Sequence, residues 1–339
     1  MNETLWCDGS LSLVVSTSEL PPPDVAAFIA VQQFGEGGGV YRRQTLNADH
    51  YRGPHWFALR QDNTVIGSYL LDARELRWQH QPLAGVYRGL LALAPTARGQ
   101  GLAGRLTQSA LDWYAASRGP CYSYGCVDRN NGKALAVLRR QGHGIIGGLG
   151  TVLYYRQRRA RATAGIVADA APDVETALAA LPAASLHEPV SPTDWTMIKR
   201  GNDWLACRHH GVQLQLAAPG PVGWIGRRLM RQTAYTRRRF DPDAFRYAAL
   251  SQTVGSPGGA ALFAALLEQL LYEHDTHYAM LTLDDGRADP MQQAIRSSAP
   301  RRALLNRQQT VVVGRWHGPT AQGPGIVQPD ALGLNAPDL

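Results

Sequence analysis

Arg98, Gly99, Gly101 and Gly104 are the residues of this chain best suited to chemistry, because they stand together where a strand gives way to a helix. The apolar run Leu90 to Ala94 stops at Pro95, and apolar spacing resumes after Gly101 through Leu106, Leu111 and Trp113. A helix start leaves backbone N–H groups without acceptors, and glycine removes the Cβ that would hold a bulky anion away. Such a turn suits a pyrophosphate, with Arg98 adding charge at its rim. A tight turn without any ligand accounts for the same glycines. A Walker A loop is excluded, since Arg105 and Leu106 stand where Lys and Ser/Thr would be needed. The spacing of Gly99, Gly101 and Gly104 satisfies a dinucleotide fingerprint, but the acidic residue expected about 20 residues on is replaced by Asp128, roughly thirty residues on.

Three stretches resemble one family. Arg98-Gly99-Gln100-Gly101-Leu102-Ala103 is similar to the Gln/Arg-x-x-Gly-x-Gly/Ala signature of the GNAT superfamily of acyl-CoA-dependent N-acyltransferases. Leu93-Ala94-Pro95 resembles that family's Val-x-Pro strand ending, and Asn131-Gly132-Lys133-Ala134, leading to Gly142, resembles its Asn-x-x-Ala helix. The resemblance implies acetyl-CoA or another acyl-CoA as cofactor and a small-molecule amine as acceptor. It places pantetheine along Leu91 and Leu93, between splayed fourth and fifth strands, and pyrophosphate on Arg98, Gly99, Gln100, Gly101, Leu102, Ala103 and Gly104. Asn131 caps its helix and is the remaining candidate for cofactor contact.

The resemblance also implies a strand-four carboxylate to take the amine proton and a helix tyrosine to donate to the leaving thiolate. This chain departs at both positions, with Tyr87 at the first and Leu138 at the second. By alternation Tyr87 shares a face with Gly89, Leu91 and Leu93 and points to the cofactor groove. A tyrosine, with an unperturbed pKa of about 10, is a poor base but serves as a proton donor or an orienter; Tyr87 also reads as a packed wall residue. Glu75 and Asp128 are the nearest carboxylates, each readable as a base or as a solvated loop residue. Two functions therefore stay open. One is an acyl-CoA N-acyltransferase, acetyl being the expected group; the other is a CoA or acyl-carrier binding module that does not acetylate amines, as a sensor, decarboxylase or O-acyltransferase relative.

The elements that would position these residues follow from pattern. Leu11 to Ser16 reads as a strand, Pro23 to about Phe34 as a helix, and Asn47 to Tyr51 as a second helical piece. His55 to Arg60 and Thr64 to Asp72 alternate around Gln61-Asp62-Asn63 as a hairpin, and Ala84 to Pro95 follows. A helix to about Ser117, a strand Cys121 to Val127, a helix Asn131 to Gln141 and a strand or hairpin Ile145 to Arg156 complete an order that matches the GNAT fold.

The second half repeats the pattern faintly: Trp204 to Ala217 as a hairpin, Val222 to Gln232, Phe245 to Thr253, a glycine turn at Gly255 to Gly259, an apolar helix Ala260 to Tyr272, and strands His277 to Leu283 and Gln309 to Val313. A helix near Ala288 to Ser297 lies between those last strands, and Asp284-Asp285 ends the first of them. The expected fold is α/β (α+β), two tandem GNAT-like domains, each a mixed, mostly antiparallel sheet flanked by helices. The N-terminal domain takes residues 1–158, a linker 159–166, a C-terminal domain with a degenerate cofactor turn 167–316, and a loosely ordered tail 317–339.

Composition limits the alternatives. The 339 residues and 45% hydrophobic content supply two packed cores. No apolar run reaches membrane-spanning length and the first residues lack a secretion pattern, so a cytoplasmic protein without membrane partner is expected. The net charge of +7 is mostly arginine, densest at Arg237-Arg238-Arg239 and Arg156 to Arg161, with no interleaved aromatics or nucleic-acid module, so no nucleic-acid partner is expected. Cys7, Cys121, Cys126 and Cys207 have neither C-x-x-C spacing nor a histidine ligand pattern, and no metal is expected. His209-His210 reads as an exposed pair in a turn.

Overall fold

The computed structural model describes residues 2–34, 41–43, 46, 48–155, 166–167, 171–179, 185–189, 195–216, 241, 243–284, 291, 294–295, 304–319, 323–324 and 331–333. The chain opens with a hairpin of β1 (Asn2–Asp8) and β2 (Leu11–Ser16), closed at Gly9 with φ 60. Sequence reading found only the second strand. Helix α1 (Pro23–Val31) starts at a proline and lays Val25 and Ile29 on the sheet with Tyr51, Trp56 and Leu90. After the two-residue β3 (Tyr41–Arg42), the expected meander follows as β4 (Pro54–Gln61), β5 (Thr64–Trp78) and β6 (Gln81–Leu93). Its turns are Asp62-Asn63 and Gln79-His80, all with positive φ, which matches the strands' right-handed twist. Helix α2 (Leu102–Arg118) ends at Gly119, β7 (Cys121–Asp128) follows, and then α3 (Gly132–Arg140) and β8 (Gly144–Tyr155).

The second half runs β9 (Ile166–Val167), α4 (Ala171–Ala179), β10 (Ser185–His187), β11 (Trp195–Arg200), β12 (Asp203–Leu216), β13 (Phe245–Gly255), α5 (Phe263–Glu273), β14 (Tyr278–Asp284), β15 (Leu304–His317) and β16 (Ala331–Gly333). Trp204 to Leu216 is one strand of the β11–β12 hairpin rather than a hairpin by itself, because the turn falls at Gly201, with φ 61. His209 and His210 accordingly lie inside β12: His209 bonds Thr196 and His274, each at 2.8 Å, and the His210 ring stands 4.7 Å from His50. Of the expected linker 159–166 all but Ile166, which begins β9, lies outside the described residues, as do the segment Val222 to Gln232, the arginine runs and most of 288–297.

The halves share one sheet, in the order β1-β2-β4-β5-β6-β7-β15-β8-β14-β13-β12-β11-β9. Their last strands are exchanged. β8 pairs with β14 of the second half, Tyr155 opposite Tyr278 through Leu149 opposite Asp284, while β15 pairs with β7, His317 opposite Cys121 through Thr310 opposite Asp128. The two exchanged strands also pair with each other. Each half thus has a sheet closed by the other's strand, so neither core is complete alone. The tail expected to be loosely held carries β16, which pairs in parallel with β10, and Trp78 Nε1 donates to the Pro324 carbonyl at 3.0 Å.

Candidate active site

The glycine turn stands open. A single 3-10 turn at Pro95–Ala97 leads into Gly99 and Gly101, with φ of 80 and 74, conformations that favour glycine. A Cβ built on Gly99, Gly101 or Gly104 meets nothing within 4 Å. The first helical bond runs from Arg105 N–H to the Gly101 carbonyl at 3.2 Å, so Leu102, Ala103 and Gly104 have N–H groups with no acceptor inside the helix. Arg98 takes part differently from expectation: its own N–H bonds the Pro95 carbonyl at 3.3 Å and its Nε bonds the Leu93 carbonyl at 3.0 Å. Its guanidinium is therefore anchored at the strand end, exposed beside the turn. Gln100 turns its side chain back to the Thr96 carbonyl, and the Leu102 side chain is buried as the helix's first core anchor. Gln141, just beyond α3, bonds the Gly104 carbonyl and Thr107 Oγ1 at 3.0 and 2.7 Å, fixing the end of α3 against the cradle.

The strands leading there splay. β6 and β7 pair in parallel only at Gly85–Tyr87 with Tyr122–Tyr124. From Arg88 onward β6 keeps β5 as its ladder partner, and one extra residue enters β6 between the Leu70–Gly89 and Ser68–Ala92 pairs. Leu90 sits in that bulge with φ 52, its carbonyl held by Ser68 Oγ at 3.0 Å. The bulge reverses the alternation. Leu91 and Leu93 pack on the α2 side, whereas Tyr87 packs on the opposite face with Tyr122, Tyr124 and Leu186. The expected sharing of one face by Tyr87, Leu91 and Leu93 is corrected accordingly.

The three proton-transfer candidates are spread out. Tyr87 is 1% exposed, its ring 5.5 Å from that of Tyr124. Glu75 is exposed and lines a cavity of about 360 Å³ with Gly85 and Tyr114, on the α2 side. Asp128 ends β7, half-buried, and accepts the Asn130 N–H at 2.8 Å. Asn131 caps α3, its Oδ1 accepting from Ala134 N–H at 3.0 Å. Leu138, where the resemblance implies a tyrosine, is packed with Val311 and Val313 of the exchanged strand.

Sequence reading passed over a buried ionic cluster on the Tyr87 face. Asp72, the cross-strand partner of Tyr87, accepts the Arg52 and Gly53 N–H groups at 2.9 Å and pairs with Arg74. Arg74 reaches Glu188 at 3.6 Å, Arg208 reaches the same carboxylate at 2.9 Å, and Tyr124 donates to it at 2.8 Å. Burial raises the Asp72 carboxyl above its usual range against the pull of Arg74, and burial followed by Glu188 raises the Tyr124 hydroxyl. Its signal in the sequence is Asp72 and Arg74 at alternate positions of β5, which puts them on one face of the strand. On the α2 side, Arg88 donates to His143 Nε2 at 2.8 Å, and Ser123 lies 2.8 Å from His317 Nε2. Burial, then Arg88, pushes His143 down to about 2; burial, then Arg315, pushes His317 to about 4.

The second half's glycine turn is filled. A Cβ on Gly259 would stand 2.1 Å from the Trp204 carbonyl oxygen and one on Gly258 2.2 Å from Asp203 Oδ1, while Ser256 Oγ accepts the Trp204 N–H at 2.9 Å. Those glycines serve close packing against β12.

The model of the acetyltransferase (GNAT) family matches residues 28–143. Among solved structures, Saccharomyces cerevisiae N-myristoyltransferase with bound myristoyl-CoA overlays with a TM-score of 0.57 at 6% identity, over 98% of this chain and 87% of that one. A GCN5-related N-acetyltransferase from Kribbella flavida aligns at 12% identity with a TM-score of 0.39, over 77% of this chain. The present chain spans 59% of that protein's length. No curated protein matches the sequence. The yeast likeness is one of fold, and it extends over both halves. Among the described residues no helix is long and apolar enough to cross a membrane.

Proposed function

From the match of residues 28–143 to the acetyltransferase (GNAT) family model, we propose that this chain moves an acetyl group from acetyl-CoA directly to the amine of a small molecule. The observation that carries the reading is the contrast between the two glycine turns: the first is open above Gly99, Gly101 and Gly104, the second is closed by Asp203 and Trp204. The residues that would hold the cofactor are the N–H groups of Leu102, Ala103 and Gly104, the Arg98 guanidinium, and the backbone of Leu91 and Leu93 beyond the splay. The cofactor supplies an acyl group activated as a thioester. The protein's part is to fix that group where β6 leaves β7, and to bring the amine from the face that carries Tyr87 and the ionic cluster. Because Tyr87, Glu75 and Asp128 do not converge, the reading assigns most of the rate to positioning, with the amine arriving as its free base.

Acetyl-CoA should raise the melting temperature, and thiol release should appear with some members of an amine library. Arg98→Glu should abolish the shift. The buried Tyr87 and the leucine at 138 favour the second reading, a CoA binder without transfer; that reading predicts the same melting shift with no thiol release for any amine.

A further inference from the structure

The bulge at Leu90 sends Tyr87 to one face of β6 and leaves Arg88 on the other. Val86 packs with Leu91, Leu93 and the buried residues of α2, and Arg88, two positions on, shares that face. Arg88 is also the first residue of β6 beyond the stretch paired with β7, so it stands at the head of the splay. Gly125 is the first residue of β7 beyond the same stretch. A Cβ there would lie 3.0 Å from the Arg88 carbonyl oxygen, 3.4 Å from its Cβ and 3.7 Å from its Nε. The arginine side chain thus passes over β7 at the point where the two strands part.

That side chain carries a charge that no carboxylate balances. Arg88 is 6% exposed, and among the described residues no Asp or Glu forms an ion pair with it. Its Nη1 donates to His143 Nε2 at 2.8 Å. Arginine cannot accept, so the His143 proton is on Nδ1, 3.2 Å from the Leu138 carbonyl. The histidine holds the guanidinium in place without neutralising it. Arg88 Nε and the Tyr69 hydroxyl, on the same α2 side, are both buried without a hydrogen-bond partner. Burial pulls the Arg88 pKa below its usual value, and the Tyr69 phenol is the first group to oppose that pull. A fixed, poorly hydrated guanidinium with a free N–H is a receptor for an anion.

Aminolysis of a thioester creates an anion there. The amine nitrogen bonds to the carbonyl carbon, the carbon–sulfur bond breaks, and its electron pair leaves on sulfur as a thiolate. The proton shed by the nitrogen passes to water, and the sulfur takes one from water after release. On the acyltransfer reading the thioester arm runs from the cradle along Leu93 and Leu91, and the next side chain on that face of β6 is Arg88. With the amine arriving from the Tyr87 face, nucleophile and leaving group are kept on opposite sides of the sheet.

We propose that Arg88 is a catalytic residue, its guanidinium binding the departing coenzyme A thiolate at the head of the splay. The inference deepens the acyltransfer reading and rests on it.

The first test needs no variant. Coenzyme A bound to the full chain, titrated by the ultraviolet absorbance of its thiolate, should hold at least about tenfold more thiolate than free coenzyme A at a pH below the free thiol's pKa. An unchanged titration overturns the proposal. Arg88→Met removes the charge and keeps most of the volume. It should lower kcat for thiol release from acetyl-CoA by about 10²–10³-fold, keep the KM of acetyl-CoA within about threefold, and return the bound thiol to the titration of the free one. A raised KM at wild-type kcat overturns the proposal. Arg88→Lys, which keeps the charge, should recover at least about tenfold in kcat over Arg88→Met, and equal rates for the two count against it. Where Arg88→Met fails to fold, the wild-type titration decides. Failure of the acyltransfer reading shows separately, as absence of a melting shift with acetyl-CoA or of thiol release with any amine; a chain that binds coenzyme A and leaves its thiol titrating as in water sinks the role of Arg88 alone.

Discussion

Substituting Gly101 by alanine separates the cradle's two properties, its backbone conformation and its open space. At φ 74 an alanine strains the backbone by about 1–2 kcal/mol. Its Cβ meets nothing within 4 Å, so no packing penalty is added. For a chain of this length that strain lowers the melting temperature by roughly 1–3 °C. Binding should suffer far more. The methyl group occupies the approach of a phosphate to the N–H groups of Leu102 to Gly104, and loss of two charge-assisted bonds at about 1.5–3 kcal/mol each weakens binding by about a hundredfold or more. At a ligand concentration one hundred times the wild-type Kd, acetyl-CoA stabilises the wild type by about 2.7 kcal/mol, and almost none of that survives in the variant. Gly259→Ala is the mirror image. Its Cβ would stand 2.1 Å from the Trp204 carbonyl oxygen, an overpacking cost of about 1–3 kcal/mol or more, with the acetyl-CoA shift unaltered. Differential scanning fluorimetry with and without acetyl-CoA reads both. A wild-type shift retained by Gly101→Ala, or lost by Gly259→Ala, refutes the assignment of the cofactor to the first turn.

Four other outcomes follow from the geometry. Glu188→Gln removes the carboxylate shared by Arg74 and Arg208, and unfolding in urea should show a loss of about 3–5 kcal/mol, as for a buried pair deprived of one partner. His143 and His317, held down to about 2 and about 4, bind fewer protons folded than unfolded below about pH 6.5, so stability should fall as pH drops from there, by up to about 1.4 kcal/mol per pH unit per histidine. His143→Gln, which keeps an acceptor for Arg88, should reduce that slope in denaturant titrations from pH 7 to pH 4.5. Glu75→Gln and Asp128→Asn should each leave kcat within about threefold, below the 10²–10⁴-fold carried by a general base, and leave the rise of kcat/KM with pH following the acceptor amine's own pKa; a larger fall in kcat for either one identifies that carboxylate as the base.

How far the letters reached depended on the range of the interaction. Asp62-Asn63, Gly119 and the Pro95 stop are local devices, since each fixes a turn or an element end through the φ of one or two residues. They placed the meander, α2 and the cradle nearly where they stand. The bulge at Leu90 had no such marker. A single inserted residue turned Tyr87 to the face opposite Leu91 and Leu93, and strict alternation misplaced it. His209 and His210 were misread for a related reason: two polar residues inside a strand look like a turn until Thr196, His274 and His50 are seen to meet them.

By itself the sequence settled the glycine-lined helix start and the order of the elements from β4 to β8, because periodicity and turn stereochemistry act over a few residues. Folding in three dimensions decided the rest. It exchanged β8 and β15 between the halves, closed the second glycine turn on Trp204, and joined Arg74 and Arg208 through Glu188. Those pairings span many tens of residues and depend on which surfaces complement each other once the sheet has formed, information that no window of the chain carries.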